Sequence, residues 1–126
     1  MKKFAIAAVL LMMTLPSFAA DTANGKKVWK KINCAQCHGK DGMGMAKKVG
    51  NDWKLNIMKG PRIAGLGAEY AEAQIKAIKD KTRKTKFTMT MYTKVKKLTD
   101  AEIADVAAYV SKELNSKAGS TKGMNE

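Results

Sequence analysis

The two cysteines and the single histidine of this 126-residue chain stand together in one segment, Cys34-Ala35-Gln36-Cys37-His38. Such residues can form a disulfide, a thiol redox pair, a metal site or a covalent cofactor linkage. A zinc site needs four ligands, and the sequence has no third cysteine and no second histidine. A thioredoxin-type pair belongs to a βαβ pattern, which is also missing. Because Cys-x-x-Cys-His is the attachment sequence of haem c, we predict one covalent haem on Cys34 and Cys37, with His38 as an iron ligand.

The sixth ligand of that iron has to come from elsewhere, since His38 is the only histidine. Methionine is the natural alternative because its soft thioether favours ferrous iron. Outside residues 1–19 the chain has six methionines: Met43, Met45, Met58, Met89, Met91 and Met124. The first two follow the histidine too closely to reach the opposite haem face, the third precedes a Gly-Pro turn, and the last is in the C-terminal tail. Met89 and Met91 remain, and in an extended segment both would point the same way.

The elements that must position these residues are predicted to be helices. Residues 21–32 have a helical pattern that Asp21 or Thr22 can cap, and residues 68–81 have a second one. The last helix starts at a capping box, Thr99-Asp100-Ala101-Glu102, and continues as an apolar stripe to Leu114. Residues 39–60 and 82–97 have no clear period and are predicted to be loops, the second one extended. The expected fold is all-α, with three main helices and long loops wrapped around a large apolar cofactor that completes the core.

The N-terminal residues have the pattern of an export signal. Lys2 and Lys3 precede an apolar run, and Ser17-Phe18-Ala19 offers small residues for cleavage after Ala19 or, alternatively, Ala20. The run is shorter than the roughly 20 apolar residues that a membrane span needs. We therefore predict a cleaved signal peptide at residues 1–19, one domain at 20–114, a flexible tail at 115–126, and a periplasmic protein without stable membrane insertion.

The chain is strongly basic, with a formal charge of +13 that falls to +11 once Lys2 and Lys3 are removed. Nucleic acid is an improbable partner, because the protein is predicted to be exported and its aromatic residues are not interleaved with basic ones. Acidic redox proteins fit better as partners of a monomeric protein. The lysines expected to steer them bracket the haem-binding segments: Lys30, Lys31, Lys40, Lys84, Lys86, Lys94, Lys96 and Lys97.

In the order of its motifs the sequence resembles the class I cytochromes c. It is most similar to the small bacterial single-haem periplasmic type, and to one half of the di-haem periplasmic cytochromes. The likeness covers nearly the whole chain after residue 19. It rests on Gly25-Lys26-Lys27-Val28-Trp29, the Cys34–His38 motif, Gly60-Pro61-Arg62-Ile63-Ala64-Gly65, residues 70–75, Met91, residues 98–103 and residues 107–110. The attachment motif is highly specific, whereas the helix matches are persuasive through their order.

The resemblance implies a helical frame and a support for the histidine. The first and last helices are expected to cross, with Gly25 allowing close approach and Trp29 packing near Tyr109. The carbonyl of Pro61 is expected to accept a hydrogen bond from the second ring nitrogen of His38, which would orient this ligand.

The resemblance also implies an assignment of the sixth ligand. Counting back from Leu98, the ligand position corresponds to Met91, with Met89 as the alternative. Many relatives have proline directly after this methionine, whereas this chain has Tyr92. A less rigid loop and a more labile iron–sulfur bond are therefore expected.

The function implied is one-electron transfer between redox proteins, without catalysis. Two alternatives stay open: a haem sensor or enzyme with a displaceable sixth ligand, and a dedicated electron-transfer subunit of a larger oxidoreductase. No distal histidine or acid–base pair equips the chain for catalysis. A permanent subunit would expose a sizeable apolar patch, which the lysine-rich helix faces do not suggest.

Overall fold

The structure, a computed structural model, describes residues 19–55 and 60–114. The predicted signal peptide (apart from Ala19), Met58, Met124 and the predicted tail lie outside this part. The described elements follow in the order α1 Thr22–Lys31, α2 Ala35–His38, β1 Ala46–Val49, β2 Asp52–Leu55, α3 Ala68–Lys79, α4 Thr88–Val95 and α5 Asp100–Lys112. Across the described residues, no helix is both long and apolar enough to cross a membrane.

Side-chain caps fix the starts of α1 and α5. The Asp21 carboxylate accepts hydrogen bonds from the backbone N–H groups of Ala23 and Asn24, at 2.8 and 3.1 Å. At α5, the Thr99 hydroxyl accepts from the Glu102 N–H at 3.1 Å, and the Thr99 N–H donates to the Glu102 carboxylate at 3.0 Å. The capping box predicted from the sequence is therefore present.

The crossing of α1 and α5 forms the centre of the core. A Cβ atom at Gly25 would lie 2.1 Å from the carbonyl oxygen of Asp105, so only glycine allows this approach. Trp29 and Tyr109 are both buried and pack with their ring centroids 5.8 Å apart. The Asp105 carboxylate also accepts from the backbone N–H of Asp21 and the side-chain amide of Asn24, each at 2.7 Å. The crossing expected from the resemblance is confirmed.

Helix α3 packs on α5. Its buried residues are Ala71 and Ile78, of which Ile78 belongs to the central core cluster. It ends at Lys79, two residues before the predicted end, because the chain turns there. Lys81 has a φ of 61°, in the left-handed region that terminates helices. A salt bridge of 3.3 Å from Lys79 to Asp100 connects the end of α3 to the start of α5.

Helix α4 corrects the prediction of an extended loop over residues 82–97. Its inward positions, Thr88, Met91, Tyr92 and Val95, have helical spacing, but the threonine obscured the apolar period. Thr88 can be buried because its polar groups are paired with Thr85. The Thr85 N–H donates to the Thr88 hydroxyl, and the Thr88 N–H donates to the Thr85 hydroxyl, at the start of the helix. In an α-helix, residues two positions apart in the chain lie about 200° apart around the axis. The interpretation that Met89 and Met91 point the same way is therefore wrong.

A short antiparallel hairpin, β1–β2, occupies part of the predicted loop over residues 39–60. Its register pairs Val49 with Asp52 and Ala46 with Leu55. Gly50 and Asn51 form the two-residue turn, and the φ of 65° at Gly50 suits a hairpin turn. This Gly-Asn signal was overlooked, so the expectation of no strand is wrong here. The frame of the domain is nevertheless helical, as predicted.

Candidate functional site

One helical turn brings the three residues of the attachment motif together. The backbone N–H of Cys34 donates to the carbonyl of Trp29 at 3.0 Å, which joins α2 tightly to the end of α1. The N–H of His38 then donates to the carbonyl of Cys34 at 2.9 Å. Residues three and four positions apart lie on one face of a helix. Cys34, Cys37 and His38 therefore share a face, and all three line the same cavity.

The imidazole of His38 is buried, with 8% of its surface exposed, and is held in one orientation. Its Nδ1 atom lies 2.8 Å from the carbonyl oxygen of Pro61. Because a carbonyl only accepts, Nδ1 carries the hydrogen and Nε2 keeps a lone pair for a metal. Burial lowers the pKa of His38, against the opposing effect of the Pro61 hydrogen bond. The ring is thus kept neutral, which is the form that binds iron.

Pro61 reaches the histidine because two loops are packed on α2. A Cβ atom at Gly60 would lie 2.5 Å from the carbonyl oxygen of Cys37, so glycine is needed for this approach. The carbonyl of Gly42 accepts from the N–H groups of Ile63 and Ala64 at 2.7 and 2.9 Å. These bonds fix residues 60–64 beside α2. The sequence predicted Pro61 through the resemblance, but not the network that holds it.

The two cysteines are half-buried and are not bonded to each other. Burial raises the pKa of the Cys34 thiol to about 12. The thiol of the chain without cofactor is therefore protonated at neutral pH and is a poor nucleophile for disulfide exchange. The disulfide alternative is not what the structure contains.

The cavity beside these residues has a volume of about 1100 Å³. This lies just above the roughly 300–1,000 Å³ of typical ligand pockets. Its apolar wall comes from every main helix and from the loop after Pro61: Ile32, Ile63, Ile75, Val95, Leu98 and Val106. A large flat apolar ring fits this lining, and two thiols and an imidazole are the donor set that would attach it and ligate its iron. The residues present therefore fit haem.

The two methionine candidates differ in where α4 places them. Met91 is half-buried, packs against the core and lines the cavity. Met89 is 40% exposed and is not among the described residues that line the cavity. Met91 thus faces the cavity from a different element than His38. Of the remaining described methionines, Met43 is a buried core residue, as expected for a residue that fills core space.

The sequence interpretation missed one polar part of the cavity wall. Arg83 donates from its guanidinium to the side-chain oxygen of Gln74 at 2.8 Å, and both residues line the cavity. Lys86 and Lys94, which were expected beside the haem-binding segments, line it as well. Positive groups next to an apolar cavity suit a ligand that combines an apolar body with carboxylates. Arg83 carried no periodicity signal, since it lies in the turn after α3.

The fold and the site together define a small helical haem protein with the attachment motif on a helical turn. The model of the cytochrome c family matches residues 22–113. A cytochrome c-554(548) from Halomonas halodenitrificans is 37% identical over 93 residues, which are 74% of this chain and 96% of that protein. The chain belongs to the cytochrome c family. It carries covalently bound haem c, has the class I fold, and is an electron-carrier haem protein that exchanges electrons with redox partners.

Proposed function

We propose that this protein is a periplasmic carrier with a single haem, whose iron cycles between Fe(III) and Fe(II) with His38 and Met91 as axial ligands. It transfers electrons between other proteins and has no catalytic role of its own. One observation carries the proposal: the cavity is lined by Cys34, Cys37 and His38 from α2 and by Met91 from α4.

The chain's own residues would have separate roles in holding the haem. Cys34 and Cys37 anchor it, and the Pro61 carbonyl holds His38 at 2.8 Å in the tautomer that can ligate iron. Arg83 and Lys86 provide positive charge for its propionate groups. When bound, the haem supplies a redox-active iron, and the methionine sulfur raises its potential. If His38 and Met91 both held the iron, no position would remain for a substrate, and the haem would supply electron transfer alone.

The lysines beside the cavity are proposed to steer acidic partners. Lys94 lines the cavity wall, and Lys97 is exposed three residues further along. Other lysines have structural contacts that complicate their use: Lys31, Lys76 and Lys79 form salt bridges, and Lys96 lies over the ring of Tyr92. Charge complementarity mainly raises the rate of encounter, which is what a diffusing carrier needs.

A stopped-flow measurement tests this function. The reduced protein is mixed with an acidic acceptor protein over a salt series, and the electron-transfer rate is expected to fall steeply towards about 0.15 M, where charges more than ~8 Å apart are largely screened. The Lys94→Glu/Lys97→Glu variant is expected to be about tenfold slower at low salt. The matched control is Lys26→Glu/Lys27→Glu, which changes the same charge on exposed residues of α1 outside the cavity wall.

Two results would contradict the proposal. Equal losses in both variants would mean that net charge alone matters and that the docking face lies elsewhere. Rapid carbon monoxide binding to the unmodified reduced protein would indicate an open or easily vacated iron position, which favours a sensor or enzyme.

A further inference from the structure

The ring of Tyr92, directly after the proposed ligand Met91, lies near two lysine side chains. The Nζ atom of Lys81 is 4.7 Å from the ring centroid, and that of Lys96 is 5.9 Å from it. Both distances are within the roughly 6 Å over which an ammonium group is attracted to an aromatic face. Tyr92 is half-buried and packs against the core, which holds its ring in a position where these ammonium groups can contact it.

The backbone of Lys81 is in a conformation that a lysine adopts only with strain. Its φ is 61°, just after the C-cap Asp80 of α3, where glycine is the usual residue. Its N–H donates to the carbonyl of Ile78 at 3.1 Å, so the backbone closes the helix without any need for a side chain. Such an outlier points to a role for the side chain, and the contact with Tyr92 supplies one.

Only Lys81 connects Tyr92 to another element, because it belongs to the turn that leaves α3. Lys96 is the C-cap of α4 itself, and its backbone N–H donates to the carbonyl of Tyr92 at 2.9 Å within that helix. The contact between Lys81 and the Tyr92 ring therefore limits rotation of α4 about its own axis. Because Met91 is the preceding residue of the same helix, that rotation determines whether its sulfur faces the cavity.

We propose that Lys81 and Tyr92 are positioning residues that hold α4 in the rotation that presents Met91 to the iron. This rests on the proposed His38/Met91 ligation. The two side chains do by contact what a proline after the methionine would do by stiffening the backbone. The iron–sulfur bond is then firm, contrary to the lability that the sequence led us to expect.

Imidazole displacement tests the proposal in the oxidised holoprotein. Imidazole competes with the sixth ligand, and the far-red band of iron–thioether coordination reports its release. Tyr92→Leu removes the ring, and Lys81→Gly removes one ammonium while suiting the backbone. Each is expected to bind imidazole about three- to tenfold more tightly than the unchanged protein. Tyr92→Phe keeps an aromatic face and is expected to stay within about twofold. Lys27→Ala, at an exposed residue of α1 outside the cavity wall, is the charge-matched control, with no expected change in imidazole binding.

Lys81→Gly separates positioning from general loosening. Glycine relieves the backbone at position 81, so the unfolding midpoint is expected to stay level while imidazole affinity rises. Unchanged imidazole binding in both Lys81→Gly and Tyr92→Leu would overturn the proposal, as would equal effects of Tyr92→Phe and Tyr92→Leu. A parallel Met91→Ala sample shows whether the positioning role or the ligand assignment is wrong. If it loses the far-red band while the other variants behave like the unchanged protein, only the positioning role is wrong. If it keeps the band, the ligand assignment fails, and the positioning role with it.

Discussion

The α1–α5 crossing and the cavity wall are built from the same kind of helix, but only the centre of the crossing is packed by protein alone. There, Gly25 lies against the backbone of Asp105. The ring of Trp29 is at the edge of the crossing, where it contacts Tyr109 and also lines the cavity. The cavity wall instead faces a space of about 1100 Å³. There, His38 and Met91 belong to different elements.

This difference separates what holds the fold from what gives it a function. The crossing has its apolar and polar contacts within the chain, including the bonds of the Asp105 carboxylate at 2.7 Å. The cavity wall completes its core with haem. Substitutions at the centre of the crossing should therefore lower stability and leave the haem spectrum unchanged. Substitutions in the cavity wall should change the spectrum. Loss of the haem should lower stability and change the spectrum.

The largest effect is expected from Cys34→Ser/Cys37→Ser, which removes the covalent anchor of the haem. A domain of this size has a typical total stability of about 5–15 kcal/mol, and the cofactor fills a large part of its core. We expect no haem on the chain after acid-acetone extraction and no cooperative thermal transition by circular dichroism. A stable, sharply unfolding double variant would show that the helices form a core of their own around the cavity.

A smaller effect, about 2–3 kcal/mol, is expected from Gly25→Ala at the crossing. The added Cβ would meet the carbonyl oxygen of Asp105 at 2.1 Å, which outweighs the better helix propensity of alanine. Gly67→Ala is the matched control, because nothing lies within 4 Å of a Cβ there and its φ is −55°. Denaturant unfolding of the holoproteins compares the two. A shifted far-red band in Gly25→Ala would contradict the separation of crossing and cavity wall.

The smallest effect concerns the capping box of α5 and its dependence on pH. The Thr99 N–H, and then the Lys31 ammonium, hold the pKa of Glu102 below its ordinary value of 4.5. A lowered carboxylate pKa stabilises the fold above the unfolded pKa, and this contribution disappears as pH falls through the folded pKa. Glu102→Gln keeps the hydrogen bond to Thr99 but loses the charge. Since Glu102 is partly exposed and its partner Lys31 is mostly exposed, we expect a loss of only about 0.5 kcal/mol at pH 7.

The check is a pair of pH series of unfolding free energies. The difference between the unchanged protein and Glu102→Gln should shrink towards zero as pH falls from 7 to about 3. Glu102→Ala, which also loses the hydrogen bond, should remain less stable throughout. A difference that is constant with pH would show that the Glu102 charge contributes nothing.

The helices of the crossing could be predicted from the sequence because their signals are local. The α5 capping box and its apolar stripe, and the helical pattern of residues 21–32, identified the two helices, whereas their contact at Gly25 and Trp29 was implied by the resemblance to the family. The attachment motif identified the haem in the same way, since its residues are neighbours in the chain. Pro61 required knowledge of the family, because a carbonyl hydrogen bond to His38 leaves no trace in residue types.

The wall of the cavity was harder to predict because one of its helices, α4, depends on hydrogen bonds with a residue that precedes the helix. In α4, a buried threonine, Thr88, occupies one inward position and is satisfied by Thr85. Polarity at that position hid the helix and led to the wrong inference that Met89 and Met91 point the same way. The strained backbone of Lys81 was equally invisible, since nothing in the sequence predicts a left-handed lysine.

The central claim is that the haem iron is held between His38 and Met91. Its most direct test is the far-red absorption band of the oxidised protein in Met91→Ala and, as the matched control, Met89→Ala. Met91 lines the cavity, whereas Met89 is 40% exposed about 200° around the same helix. We expect the band in the unchanged protein and in Met89→Ala, and its complete loss in Met91→Ala. A band that survives Met91→Ala, or disappears in Met89→Ala, would contradict the account.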